Sequence, residues 1–160
     1  MDAIEMLRSQ HRRTEGLFQA IEAAGRETKG QLFFDLVDAL AVHAAIEERH
    51  FYPAVNDPST REILIASIDE HMAIKRAVAD LLRTGISNET LDIELRALRD
   101  AVTRHVREEE ARLFPKVREL LDSHRLDELA RVMAATMDDL RDPELRSETL
   151  VDAGHLPHPY

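Results

Sequence analysis

The chain has 160 residues, no cysteine and a formal net charge of −10. That length suits one domain with a sizeable core, and the missing thiol excludes disulfides, thiolate metal sites, iron–sulfur clusters and cysteine nucleophiles, so any metal must be held by histidine and carboxylate. The acidic charge argues against nucleic acid or an anionic membrane as partner, since both recruit clustered Lys and Arg, and leaves a small uncharged molecule or a protein. The opening MDAIEMLRSQ carries acids where a signal peptide would be basic, and no apolar run approaches the length of a membrane span, so a soluble cytoplasmic protein is expected. Leu, Ala, Glu and Arg are abundant and aromatics and glycines few, which predicts an all-α class.

In chain order, residues 2–24 carry Ile4, Leu7, His11, Phe18 and Ile21 at helical spacing, with Asp2 and Glu5 placed as a capping box. GRETKG, with Gly25 and Gly30, predicts a short loop. A second helix is expected from about Gln31 to Pro53, its inner face marked by Leu32, Leu36, Leu40, His43, Glu47 and His50. Ser59 with Glu62 predicts the capping box of a third helix, whose face carries Leu64, Ile68, His71, Ile74, Val78 and Leu81. After the loop RTGISN, a fourth helix is expected over roughly Glu89 to Leu121, with Leu91, Leu95, Leu98, Val102, His105, Glu109 and Leu113 inward and a kink or restart at Pro115. A fifth amphipathic segment from Leu126 to about Arg141 is expected to pack outside these four, and the tail from Asp142 to be mobile. The expected organisation is an antiparallel up-down-up-down four-helix bundle over 1–121, an additional C-terminal helix over 122–141 and a tail over 142–160.

The loops test whether the histidines meet. His11 lies about 13 residues before the first loop and His43 about 13 after it, so each sits roughly 20 Å from that end. The same count brings His71 and His105 to the same height. Residues i and i+4 share a helix face, so Glu47 joins His43 and Glu109 joins His105. A single interior histidine is more often a hydrogen-bonded core residue than a metal ligand. The level set His11, His43, Glu47, His71, His105 and Glu109 is different, because such a layer is hard to satisfy without an ion.

The neighbours Glu48, Glu108 and Glu110 read as solvated helix faces, with Glu110 the candidate for a substitute ligand. His50 returns to the face of His43 one turn beyond Glu47; it is either a group supporting the centre, or lining its pocket, or a half-exposed helix-end histidine. His124, His155 and His158 read as surface residues.

HAAIEERHFYP (His43 to Pro53) and HVREEEARLFP (His105 to Pro115) repeat one pattern, and with His11 on the first helix and His71 on the third the chain resembles the haemerythrin-like (HHE cation-binding) family over about residues 3–121. The resemblance implies an antiparallel bundle around a non-haem di-iron centre, two irons with an oxo or hydroxo bridge, held by His11, His43, Glu47, His71, His105 and Glu109, both glutamates bridging. Oxygen carriers of the family have a further histidine where this chain has Lys75, and an aspartate five residues after the last histidine, where it has Glu109 at four and Glu110 at five. Fewer histidines imply open positions for water, peroxide or nitric oxide. The leading expectation is binding and turnover of hydrogen peroxide or a related oxygen or nitrogen species. Two others stand beside it: a reversible oxygen-binding or oxygen- or iron-sensing module, and a structural bundle with adventitious metal. The two halves of the repeat are expected to differ at His50 against Arg112.

Overall fold

Asp2 starts the first helix. Its carboxylate accepts from the Glu5 N–H while the Glu5 carboxylate accepts from the Asp2 N–H, both at 2.9 Å, so the expected capping box forms; such a cap contributes about 1 kcal/mol. In the computed structural model, which describes residues 1–85 and 91–141, this box opens α1 (Ala3–Ala23), and every regular element among the described residues is helical.

The second helix, α2 (Arg26–Ile46), begins ahead of the predicted Gln31. Gly25 is its N-cap, and its carbonyl accepts from the Thr28 and Lys29 N–H groups at 3.2 and 3.0 Å, so GRETKG is a helix start rather than a loop. Gly30 inside the helix costs about 1 kcal/mol relative to alanine. Burial of Phe33 and Leu36 in the following turns, at about 1.5–3 kcal/mol each, outweighs it.

Neither motif proline ends its helix. α2 runs into a π-helical turn, π1 (Glu47–Phe51), then α3 (Tyr52–Ala54); likewise α5 (Leu91–Glu108) runs into π2 (Glu109–Leu113), then α6 (Phe114–Leu120). Each π turn closes through an i→i+5 bond, Tyr52 N–H to the Glu47 carbonyl and Phe114 N–H to the Glu109 carbonyl. Pro53 and Pro115 would strike the carbonyl four residues back in a regular α-helix. The wider π turn relieves that conflict and leaves each proline in the first turn of the next α-helical segment, where its missing N–H costs nothing.

Between the repeats, α4 (Arg61–Thr84) starts at Thr60 without a side-chain cap. The predicted Ser59–Glu62 box does not form, because the Ser59 N–H and hydroxyl both turn back to Asp57 Oδ2, at 2.9 and 2.6 Å. Gly85 closes α4 at φ +79, a left-handed conformation that favours glycine. α7 (Ser123–Asp139) is capped by Asp122, whose carboxylate accepts from the Arg125 N–H at 2.9 Å. It packs on α1, α2 and π1. Residues 86–88 of RTGISN, the predicted start at Glu89, and the tail from Asp142 with His155 and His158 lie outside the described residues.

α1 packs along α2 and α4 along α5, and α1 also meets α5. Two apolar clusters result. One joins Leu7, Ile46, Phe51, Leu64, Leu113, Phe114, Leu126 and Met133; the other joins Phe18, Phe33, Leu36, Val78, Leu81 and Leu98. Between them along α1, α2, α4 and α5 and at the start of π1 and π2 lies one buried polar layer: His11, His43, Glu47, His71, His105 and Glu109.

Candidate metal centre

Each helix brings an imidazole Nε2 inward, and each π turn a carboxylate. His11 Nε2 lies 3.4 Å from Glu109 Oε1, and His43 Nε2 lies 3.2 Å from Glu47 Oε1. All four of these atoms are buried, and none makes a hydrogen bond. The other two imidazoles meet the opposite side of Glu47: its Oε2 is 2.9 Å from His71 Nε2 and 3.8 Å from His105 Nε2, and these two nitrogens are 3.0 Å apart. Glu109 Oε1 is 3.2 Å from His105 Nε2. Two groups of donor atoms therefore converge closely enough to hold a cation, one from His11, His43, Glu47 and Glu109, the other from Glu47, His71 and His105. Glu47 belongs to both.

Three of the four outer ring nitrogens are tied down by hydrogen bonds, and the fourth, His71 Nδ1, has none among the described residues. Gln10 on α1 holds His43 of α2 (Nδ1 to Oε1, 2.7 Å), Glu70 on α4 holds His105 of α5 (Nδ1 to Oε2, 2.6 Å), and Glu110 of π2 holds His11 of α1 (Nδ1 to Oε1, 2.8 Å). Glu48 of π1 approaches His71 of α4 at 3.7 Å. Every one of these partners is a chain neighbour of one site residue and serves the imidazole of another helix. Such partners fix ring orientation and tautomer. Sequence reasoning missed Gln10 and Glu70, although both directly precede a site histidine. It read Glu48 and Glu110 as solvated; Glu48 is mostly buried, and the Glu110 carboxylate sits against His11 rather than standing in as a ligand. Glu108 is an exposed surface residue, bonded to Arg112 at 3.1 Å, and His124 is exposed.

Tyr52 is the other residue that helical periodicity does not single out; the sequence shows it only as the aromatic before Pro53 in the first repeat. In an α-helix residue i+5 is turned about 140° from residue i. The π turn brings it back, so the Tyr52 hydroxyl lies 2.9 Å from Glu47 Oε2, 2.9 Å from Glu109 Oε2 and 3.1 Å from His71 Nε2. At the equivalent place in the second repeat, Phe114 stacks on His11, centroids 5.9 Å apart and planes at 2°. The two halves thus differ at Tyr52 against Phe114. His50 is turned away from the cluster by the extra residue of the same π turn and instead meets Thr136 of α7 at 2.7 Å.

Burial alone would raise the carboxyl of Glu47, but the His43, His105 and His71 imidazoles around it hold it well below the usual carboxylate range. Burial would lower His105, yet Glu109, Glu47 and Glu70 push it up to about 12. His11 and His71 are raised against burial in the same way, by Glu109 and Glu47 respectively. Burial and both glutamates push the Tyr52 phenol well above its ordinary value, so it stays a neutral donor. The centre is a cluster of negative charge that attracts positive charge, whether protons or a metal. Lys75 is drawn there too, its ammonium 2.9 and 2.7 Å from the two Glu48 oxygens. Beside the imidazoles lies a cavity of about 40 Å³, walled by Val37, Ala41, Ile74, Val78, Val102 and Val106, with Thr14 and Lys75 as its other polar lining.

No helix among the described residues is long and apolar enough to cross a membrane. The sequence profile described as the hemerythrin HHE cation binding domain matches residues 2–117. A crystal structure of a hemerythrin HHE cation binding domain-containing protein from Mycobacterium kansasii superposes with a TM-score of 0.82 at 27% identity, covering 96% of this chain and 99% of that one. A DNA nickase from a Nostoc species is 28% identical over 135 residues, 81% of this chain but only 37% of the nickase.

Proposed function

The chain belongs to the hemerythrin HHE cation-binding family, and we propose that it is a non-haem di-iron protein that binds and turns over a small oxidant such as hydrogen peroxide, oxygen or a nitric oxide species. The observation that carries this reading is the convergence of four buried atoms without hydrogen bonds, His11 Nε2, His43 Nε2, Glu47 Oε1 and Glu109 Oε1. An apolar interior does not leave four such atoms facing one another without compensation. In this reading one ion takes those four donors, the other takes His71, His105 and the second oxygen of Glu47, and Glu109 lies within reach of both. The helices form an up-down-up-down bundle over residues 1–121, with 122–141 as an added helix, in a cytoplasmic protein. Iron is favoured by the imidazole and carboxylate donor set together with the family.

Bound iron supplies the electrons and the open coordination positions for the oxidant. The remaining functions belong to the chain. Gln10, Glu70 and Glu110 hold three imidazoles with Nδ1–H outward and Nε2 inward. The Tyr52 hydroxyl lies at Oε2 of both glutamates and keeps a proton at the middle of the centre. The aliphatic wall beside the imidazoles leaves space for a ligand of few atoms. Metal analysis and optical spectra of the as-isolated and iron-loaded protein test the reading. It expects two irons per chain, a spectrum that changes with peroxide, and peroxide consumption over many cycles. Metal bound without any spectral response would defeat it, and a stoichiometric, reversible change without turnover would favour a binding or sensing module, for which the contacts of α7 with α1 and π1 offer a responsive surface.

A further inference from the structure

Three of the four outer partners of the site imidazoles are carboxylates, and Gln10 is the amide. The distinction matters because a carboxylate presents an acceptor whichever way it is turned. An amide has one accepting and one donating end. Gln10 accepts from the His43 Nδ1–H only while its oxygen faces the ring. Flipped, its NH₂ would demand a lone pair on Nδ1 and drive the proton to Nε2, the atom aimed at the centre.

The other end of the same amide is occupied. Gln10 Nε2 lies 3.3 Å from the sulfur of Met137 on α7, a thioether that accepts but cannot donate. A flipped amide would set its carbonyl oxygen against that sulfur and gain no hydrogen bond. We propose that Met137 orients the Gln10 amide, and through it fixes the His43 tautomer that leaves Nε2 free, so that α7 is a working part of the metal centre. Met137 and Gln10 are positioning residues, since neither reaches the cluster itself. The proposal deepens the di-metal reading and rests on it. By linkage, an ion bound at His43 tightens the docking of α7 as much as docked α7 tightens the ion.

The test is cobalt(II) binding to the full chain, measured by competition with a chromophoric chelator and by the visible bands of the bound metal, beside thermal melts of the metal-free variants. Gln10→Leu should weaken binding about 10–100-fold, the range for lost outer partners. Met137→Leu keeps the bulk of the side chain and should weaken binding several-fold while leaving the metal-free melting temperature close to that of the parent. Gln10→Glu removes the need for orientation, so Met137→Leu added to it should change nothing. If Met137→Leu binds cobalt like the parent, or weakens it equally in the Gln10→Glu background, the sulfur only packs and the proposal is overturned. If the parent chain itself binds no cobalt, the di-metal reading fails first.

Discussion

Set side by side, the two halves of the centre share a plan and differ at two places. α1 with α2, π1 and α3 supplies Gln10, His11, His43, Glu47 and Tyr52; α4 with α5, π2 and α6 supplies Glu70, His71, His105, Glu109 and Phe114. The first half carries the amide and the phenol, the second the carboxylate and the plain ring. Tyr52 therefore bonds across to both glutamates, while Phe114 stacks on His11, packs edge-on to Phe51 and lies under the Arg8 guanidinium. A pair of near-identical motifs need not make an electrically symmetric site: a carboxylate at Nδ1 makes an imidazole a stronger donor than an amide does, so His105 and His43 would be unequal donors to the proposed ions.

The comparison breaks most decisively at the ligands. His43→Ala and His105→Ala should each cost more affinity than the roughly 10–100-fold expected for an outer partner, and the metal-to-protein ratio after desalting should fall well below two; a normal ratio in either would remove that half from the centre. Acid and base act next. The metal-free protein should keep the contribution of His105 in full below its ordinary 6.5 and lose it as pH rises toward about 12. Glu47, held down in the folded chain, contributes above its ordinary 4.5 and is lost on acidification through its lowered value. Denaturant midpoints of the metal-free chain should accordingly peak between those two ordinary values, whereas metal affinity should climb with pH, since binding expels protons. A metal-free optimum well above pH 7 would contradict the charge balance assigned here.

Smaller effects separate the aromatic pair. Tyr52→Phe removes the one O–H that two buried carboxylate oxygens share and should destabilise the metal-free protein by about 1–3 kcal/mol in urea. Phe114→Tyr forces a hydroxyl into a packed ring stack and should cost a similar 1–3 kcal/mol for a steric reason, with no gain in affinity. Smallest is His50→Arg, which copies Arg112 of the second motif and forfeits the bond to Thr136; about 0.5–1.5 kcal/mol in thermal unfolding is expected, with metal content unchanged. A loss of metal there would return His50 to the centre.

Helical periodicity and loop counting placed His11, His43, Glu47, His71, His105 and Glu109 at one level, because a straight helix has a fixed rise and a fixed turn. The Asp2–Glu5 box was legible for the same local reason. What periodicity does not carry is a change of period. The π turn at Glu47 moved Tyr52 in and His50 out, the one at Glu109 set Phe114 against His11, and the only trace in the sequence is a glutamate followed five residues later by an aromatic and then proline. Gln10 and Glu70 were illegible for another reason. They serve a histidine on a neighbouring helix, and that assignment exists only once the helices are packed.

The polar layer between the two apolar clusters has a last consequence, for alignment. Aliphatic cores tolerate sliding, since one Leu or Val packs much like another. A one-turn slip of α1 would carry His11 away from Glu109 and Glu110 and into a cluster built from Phe18, Phe33 and Leu36. The same slip would leave an imidazole without a partner in an oily surrounding. The buried histidines and glutamates therefore act as an index mark, permitting one longitudinal setting of the helices before any cation arrives.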